Sequence, residues 1–481
     1  MRAVDRALRE RYFFVKTKKE GFQPALPVRS RAYETDVHLR SFRAQVVASC
    51  KAPVVSIADV VNSYTGPKRE AYAKAAISLM KDAVNHQDAS LMMFGKFEKQ
   101  NLDKANRGIN PRSKRYNLEL GRYLKFMEKP LYRSINKAYG ARTAHTVIKG
   151  LNVADSAAVA HAKWKLFKRP VAVGLDAEKF DAHVSIPCLR YEHSFYLQIH
   201  SRQVKRQMML KQLLNWQLVN TGVAYCDDGK IKFKIKGTRC SGDLNTSMGN
   251  CLIMCGLVYA YSASMGVNVE LMNNGDDCVV IMEEEDVEKY VAGVPEYFKR
   301  KGFRMTVEEP VREFEQIEFC QSHPVHDGEK YVMVRNLTNC LQKDPMCLVP
   351  IQNAKALQQW YDAVGSCGLS LTPGIPVLQE FYKTFKRSGR PCREGFKRTV
   401  FKNTSYYERV KDLTGRELSC SSVSRSSFYF AFGVLPEHQI AIEAYYASMT
   451  LSAVVEDAMH PEYAYDKGDN CCPPVVDCIF A

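Results

Sequence analysis

The stretch Val269 to Met282, V-E-L-M-N-N-G-D-D-C-V-V-I-M, constrains this chain more than any other. Two short β-prone runs, Val269 to Met272 and Cys278 to Ile281, flank Asn273-Asn274-Gly275-Asp276-Asp277. Asn and Gly tolerate positive φ, so the centre reads as a tight hairpin turn. That turn carries two adjacent carboxylates. Free Asp has a pKa near ~4, so both are ionised at pH 7. Two anions on one tip, beside strands too apolar for a solvated surface, repel each other unless a cation sits between them. Hard oxygen ligands of this kind suit Mg²⁺ or Mn²⁺. Taken alone the stretch reads more readily as an ordinary acidic turn, and the rest of the chain decides against that.

A second acidic strand end lies about a hundred residues upstream. Val171 to Leu175 reads as a buried-type strand ending in Asp176, with Asp181 five residues later. Carboxylates on adjacent strand tips can share two divalent ions about 4 Å apart, the arrangement that nucleotidyl transfer needs. In-line phosphoryl transfer leaves little covalent work for the protein beyond positioning and charge. The run Ser241-Gly242-x-x-x-Thr246-x-x-x-Asn250 adds a third part, opening a helix over about Leu244 to Met265. Thr246 and Asn250 are four apart and share a helical face. Small residues at the helix mouth allow a ligand to come close. An amide at Asn250 and a carboxylate at Asp181 can both bond a ribose 2′-hydroxyl, the group that separates RNA from DNA precursors. A plain helix cap at Ser241 and a buried amide at Asn250 are the simpler roles.

The 481 residues carry a formal net charge of +16, which favours a polyanionic partner. The excess is dense in Lys96 to Lys125, where Lys96, Lys99, Lys104, Arg107, Arg112, Lys114, Arg115, Arg122 and Lys125 face only Glu98, Asp103 and Glu119. Gly108 and Pro111 forbid one continuous helix there, so a looped or stranded basic element is expected. The 16 cysteines are scattered, include no CxxC pair and many sit within apolar runs, which reads as reduced thiols rather than a disulfide framework. Cys320, His323 and His326 lack an evident fourth ligand, so no zinc site is expected. The charged start M-R-A-V-D-R does not read as a signal peptide, and none is expected from it. The best apolar run, Cys251 to Ala260, is shorter than the roughly 20 residues a bilayer needs. Any membrane attachment is therefore expected to come through a partner.

Elsewhere, residues 1 to about 65 read as irregular chain broken by Pro24, Pro27 and Pro53, and Lys68 to Asn85 as a helix. Gln203 to Asn220 reads as a helix, Val223 to Lys236 as a hairpin turning at Asp227-Asp228-Gly229, and Asp286 to Arg300 as a helix. Gln316 to Cys320 and Lys330 to Arg335 look like paired strands. The remainder, from about Asn336, looks helical and ends in a Pro/Cys tail. The expected class is α+β.

Five stretches together resemble the RNA-dependent RNA polymerases of positive-strand RNA viruses, in wording closest to tombusvirus-like replicases. Gly174-Leu175-Asp176 through Ser185 resembles their motif A. Ser241-Gly242 through Asn250 resembles motif B, and Gly275-Asp276-Asp277 motif C. Ile317 through Pro324 is similar to motif E, and Lys96 through Arg112 followed by Tyr116 through Arg122 to motif F. The resemblance covers about residues 90 to 345.

It implies a right-hand polymerase with an antiparallel-sheet palm. The implied layout is an N-terminal region and fingers over 1–170, palm over 171–190, fingers over 191–240, palm over 241–335 and a mostly helical thumb over 336–481. It implies that Asp176, Asp276 and Asp277 are catalytic and hold two ions, Mg²⁺ or Mn²⁺. Asp181, Ser241, Gly242, Thr246 and Asn250 would meet the nucleotide, with Lys104, Arg107 and Arg112 on its triphosphate. Lys96, Lys99, Phe319, Cys320 and Gln321 would lie along RNA. The implied partners are template and nascent RNA, ribonucleoside triphosphates and an upstream viral replication protein, in a membrane-tethered complex of the host cytoplasm. A catalytically inert RNA-binding scaffold and a DNA-making polymerase are the competing readings.

Overall fold

A computed structural model describes residues 1–17, 21–99, 104–201, 204–348, 351, 353–400 and 417–452. The Pro/Cys tail, Asp103 and Gln203 lie outside them. The elements that build and surround the site are, in chain order, helices α1 (Arg2–Leu8), α2 (Val37–Ser49) and α3 (Gly66–Lys81), strands β1 (Leu91–Gly95) and β2 (Gly108–Ile109), and helix α4 (Lys114–Leu124). Strand β3 (Pro170–Ala177) follows, then helices α5 (Ile186–Ile199) and α6 (Val204–Asn215) and strands β4 (Val219–Cys226) and β5 (Gly229–Lys236). Next come helix α7 (Thr246–Met265), strands β6 (Glu270–Asn274) and β7 (Asp277–Glu283), helix α8 (Val287–Arg300) and strand β8 (Met305–Val307). Strands β9 (Ser322–His326) and β10 (Tyr331–Arg335) and helices α9 (Ala354–Leu371) and α10 (Leu378–Ser388) complete the set.

The central sheet runs β8-β3-β7-β6, antiparallel throughout. Its strands read as nearly unbroken apolar runs because both faces are covered. Val171, Val173 and Leu175 of β3, with Cys278, Val280 and Met282 of β7, pack into the main core with α2, α5, α7 and α8. The alternate residues Ala172, Val279 and Ile281 pack on the other side with Ile148, Ala157, Phe314 and Ile317. Helix α7 is apolar on all sides, as a helix at the centre of a core must be. At 20 residues it is longer than the Cys251 to Ala260 run suggested, and long and apolar enough to cross a membrane; 78% of its most apolar window is buried inside the protein.

A second sheet, β2-β1-β4-β5, stands beside it, with β1 and β4 parallel and the other pairs antiparallel. One face packs on α1 and on Tyr12 through Met93, Ala224 and Ile235. Past His326, the β9/β10 hairpin joins helices α9 and α10 around Trp360, Tyr361 and Phe385.

Several expectations shift. The proline-marked N-terminal region contains the 13-residue helix α2, capped by the Asp36 side chain on the His38 and Leu39 N–H groups. The prolines flank this helix rather than enter it. The helix expected to Asn220 ends at Asn215, since Val219 already pairs in β4. The basic stretch is looped and stranded only to Arg112, and helical from Lys114. The strand expected over Gln316 to Cys320 is displaced to Ser322–His326, because Phe319 to Ser322 closes a turn in which Cys320 and Gln321 both have positive φ.

Candidate active site

Strand register sets the acidic centre. Leu175 of β3 lies opposite Cys278 of β7, so one further step of the ladder sets Asp176 beside Asp277. Across the hairpin Asn274 pairs with Asp277, leaving Gly275 and Asp276 as a two-residue turn. Gly275 sits at φ +82°, a conformation that favours glycine. The turn is pinned from three sides. The Asn273 amide donates to the Gly275 carbonyl at 2.8 Å, the Gly275 N–H donates to Cys251 Sγ at 3.2 Å, and the Cys320 N–H donates to the Asp277 carboxylate at 2.9 Å. Asp176 and Asp276 are both exposed.

The carboxylates raise one another's proton affinity. Burial pushes Asp277 up to about 6, helped by the charges of Asp276 and Asp176 and opposed by the Cys320 N–H. Asp276 is raised by the protein packed round the turn, then by Asp181 and Asp176, with Arg107 pulling the other way. An exposed side chain that still feels dense protein is one that opens into a cleft. Glu308 joins the set, raised by burial and by Glu318 and Asp176. Uncompensated negative charge of this kind fits a divalent cation. Among the described residues no three carboxylate, His or Cys side chains converge on one point. The donors therefore fit an ion held by one or two carboxylates and completed by water and substrate phosphate, the habit of Mg²⁺, better than a closed protein cage.

Beside this centre lies a polar cluster. Ser241 Oγ donates to one Asp181 oxygen, and Asn250 Nδ2 to the other at 3.3 Å. Burial raises the Asp181 pKa, opposed by these two donors and by Arg239 and Arg107. Ser241 is thus no helix cap; α7 begins after Asn245. Thr246 opens α7, its hydroxyl on the Cys240 carbonyl at 3.2 Å. Gly242 is a correction to the expectation of space for a ligand. At φ +123° a Cβ there would meet the backbone of Asn110 and Pro111 at 2.9–3.0 Å, so the chain itself fills the space. Sequence reasoning missed the layer beneath. Arg239, fully buried, donates to Asn250 Oδ1 at 2.9 Å and pairs with Glu192. Glu192 also accepts from Tyr196 at 2.8 Å and from Asn245 at 2.8 Å.

The basic stretch divides. Arg107 is exposed, 3.6 Å from Glu98, and near enough to Asp181 and Asp276 to hold their pKa values down; Lys104 is exposed beside it. Lys96 pairs with Glu98 at 2.7 Å. Arg112 departs from its expected triphosphate role: its side chain is 0% exposed, ion-paired with Asp243 and bonded to the Ala89 carbonyl and Asn220. Lys99 departs from its expected RNA role, since its ammonium binds the Lys343 carbonyl across the molecule. Two N-terminal residues hold the loop. Arg11 donates to the Ala105 carbonyl at 2.8 Å, and the Tyr12 hydroxyl to the Gly108 carbonyl at 2.6 Å. Their only sequence signal was a position in an aromatic, basic run.

On the remaining side, Cys320 is half-buried and holds Asp277 through its N–H, while its Sγ accepts from Asn274 at 3.1 Å. Gln321 is exposed. Phe319, expected along RNA, is buried under the central sheet with Met272 and Val279. No metal cluster involves Cys320, His323 and His326 among the described residues.

Acidic residues at the strand ends of an antiparallel sheet, with a buried polar cluster and a basic loop beside them, make up the candidate site. A family model described as viral RNA dependent RNA polymerase matches residues 1–454, and the chain belongs to that family. It is 41% identical over 455 residues to a protein of Tobacco necrosis virus (strain A) named RNA-directed RNA polymerase, covering 92% of this chain and 60% of that relative. Proteins of the same name from Melon necrotic spot virus and Carnation mottle virus are 41% and 39% identical over 93% and 94% of this chain. The chain spans between about half and about 60% of the length of these relatives.

Proposed function

We propose that this chain is an RNA-templated RNA polymerase that copies a viral positive-strand RNA genome from ribonucleoside triphosphates. The observation that carries the reading is the single ladder step between Asp176 and Asp277, with Asp276 on the adjoining turn. Two bound ions, Mg²⁺ or Mn²⁺, would activate the 3′-hydroxyl and stabilise the leaving pyrophosphate. Asp176 and Asp276 would hold them, with Asp277 turned toward Cys320 as an assisting ligand. Asp181, Ser241 and Asn250 would read the ribose 2′-hydroxyl, and Arg107 with Lys104 would neutralise triphosphate oxygens. Thr246 and Gln321 would lie beside template and primer.

In this reading the central sheet is the palm, the β2-β1-β4-β5 sheet with its helices belongs to the fingers, and the helices after Asn336 form the thumb. Template, nascent RNA and an upstream viral replication protein are the partners, in a host cytoplasmic complex tethered to membrane through that protein.

The test is RNA synthesis by the purified chain on an unprimed and a primed template, with and without EDTA. Asp276→Ala should reduce synthesis by at least about a thousandfold, since an ion's transition-state stabilisation is worth several kcal/mol, and leave RNA affinity unchanged. Near-normal synthesis by Asp276→Ala overturns the metal assignment. RNA binding without synthesis by the intact chain favours the scaffold reading.

A further inference from the structure

The acidic centre uses neither face of the β2-β1-β4-β5 sheet. One face is covered by α1 and Tyr12. The other is open. Strand β5 reads G-K-I-K-F-K-I-K, and Lys230, Lys232, Lys234 and Lys236 alternate onto this open face, all exposed. None makes an ion pair among the described residues. Register sets Tyr225 of β4 opposite Lys230, Val223 opposite Lys232 and Thr221 opposite Lys234. On the inner side Met92 of β1 lies beside Val223, and the next step sets Phe94 beside Tyr225. Tyr225 is 67% exposed, Met92 58% and Phe94 53%. A groove of about 670 Å³ runs over Ser90, Thr221, Val223, Tyr225, Lys232 and Lys234.

We infer that this sheet face is an accessory binding track for single-stranded RNA, separate from the catalytic cleft. Same-face lysines on a strand stand about 7 Å apart, on the scale of successive phosphates in an extended strand. Four unpaired cations in one line demand an anionic chain of matching period. Exposed Tyr225, one strand in from the lysines, and Phe94, two strands in, offer ring faces on which unpaired bases stack. A duplex offers phosphates but hides its base faces, so the pairing of a lysine ladder with bare aromatic rings selects single strands. The face is tied to the site by chain connectivity, because β1 runs directly through Phe94 and Gly95 into the loop that carries Arg107. RNA held here is delivered toward that loop.

The inference takes its RNA partner from the function proposed above, but its binding readout needs neither metal nor nucleotide, so the two fail separately. Binding of fluorescent unstructured RNAs of 8 and 25 nucleotides to the whole chain in EDTA is measured across salt. For the 25-mer, the quadruple variant Lys230→Gln/Lys232→Gln/Lys234→Gln/Lys236→Gln should lose at least about tenfold in affinity. The salt slope should flatten by about 2 to 3, given roughly 0.7 per phosphate contact on a single strand. Tyr225→Ala should weaken the same complex by about five- to tenfold, within the range of one stacked base, and should abolish crosslinking of 4-thiouridine RNA to the β4 strand. At saturating template both variants should synthesise RNA at the wild-type rate. Unchanged 25-mer affinity and slope overturn the inference. Equal loss for duplex RNA overturns the single-strand assignment. Intact RNA binding with a changed particle mass makes the face a protein interface and overturns the track.

Discussion

Arg239 donates from Nε to Asn250 Oδ1 at 2.9 Å, and that bond decides which way the Asn250 amide points. With Oδ1 occupied, Nδ2 is left to face Asp181. The amide and the carboxylate therefore present a fixed donor and acceptor to whatever group enters between them. Glu192 holds Arg239 in turn, so this polar cluster is anchored in the core rather than on a loop.

The ribose selection proposed for Asp181 and Asn250 is open to direct test. Asn250→Ala should lower the preference for ATP over dATP by about fivefold, because a hydrogen bond between neutral groups is worth roughly 0.5–1.5 kcal/mol. Ratios of kcat/KM for the two nucleotides check it. The loss should come from slower ATP use rather than from faster dATP use, and an unaltered ratio removes Asn250 from the sugar role.

The pH dependence of the metal-free protein is set partly by Asp277. Its carboxyl is pushed up to about 6, chiefly by burial, whereas an unfolded Asp titrates near ~4. A raised carboxyl pKa means that ionisation opposes folding. The penalty is full above about 6 and gone below about 4. In EDTA, Asp277→Asn should therefore be more stable than wild type at pH 7.5, by about 1 kcal/mol once solvent near the turn is allowed for. The gap should close as pH falls through 6 toward 4. Excess Mg²⁺ at pH 7.5 should also close it. Thermal unfolding of both proteins across pH, with and without Mg²⁺, reads all three effects.

Arg107 and Arg112 stand five residues apart and should fail in opposite ways. Arg112→Ala strands Asp243 without its partner in a buried site, a loss of roughly 3–5 kcal/mol, and Arg112→Lys cannot reproduce its forked contacts. Both should show as lowered thermal stability. Arg107→Ala should leave thermal stability within about 0.5 kcal/mol, as is usual for surface positions. It should raise KM for nucleotides about tenfold or more, as expected for the loss of hydrogen bonds between charged groups. Paired melting curves and nucleotide titrations separate the two residues.

What the sequence disclosed and what it hid divide along the same line. The positions of Asp176 and Asp277 near strand ends, and of Asp276 in the turn, were legible because strand patterns are local and a turn containing Asn and Gly announces itself. The two arginines looked alike because burial is a tertiary property. Arg112 is recognised as structural only through Asp243, 131 positions away. Gly242 carried a correct signal of close approach, but the approaching atoms belong to Asn110 and Pro111 of the chain itself. Phe319 was misplaced because the expected strand lies six residues further on, at Ser322–His326. That shift stems from positive φ at Cys320 and Gln321, residue types that rarely adopt it. The hairpin of β4 and β5 was legible from its turn, but not the bare aromatic row on its open face, which depends on the parallel pairing of β1 with β4.

Tyr12 acts at one remove from the chemistry and should be separable from it. Its hydroxyl donates to the Gly108 carbonyl at 2.6 Å, one residue past Arg107, while Arg11 holds the Ala105 carbonyl on the other side. Together they hold the backbone on either side of Arg107, whose charge favours ionisation of Asp181 and Asp276. Tyr12→Phe removes one buried hydrogen bond, worth about 1 kcal/mol, and keeps the ring in its pocket. KM for nucleotides should rise about two- to tenfold while kcat at saturating nucleotide falls by less than twofold. In the double variant Tyr12→Phe/Arg107→Ala the Tyr12 change should add nothing further to KM, because its effect passes through Arg107. If Tyr12→Phe instead lowers thermal stability with KM unchanged, the bond serves the fold alone and the loop is positioned by other contacts.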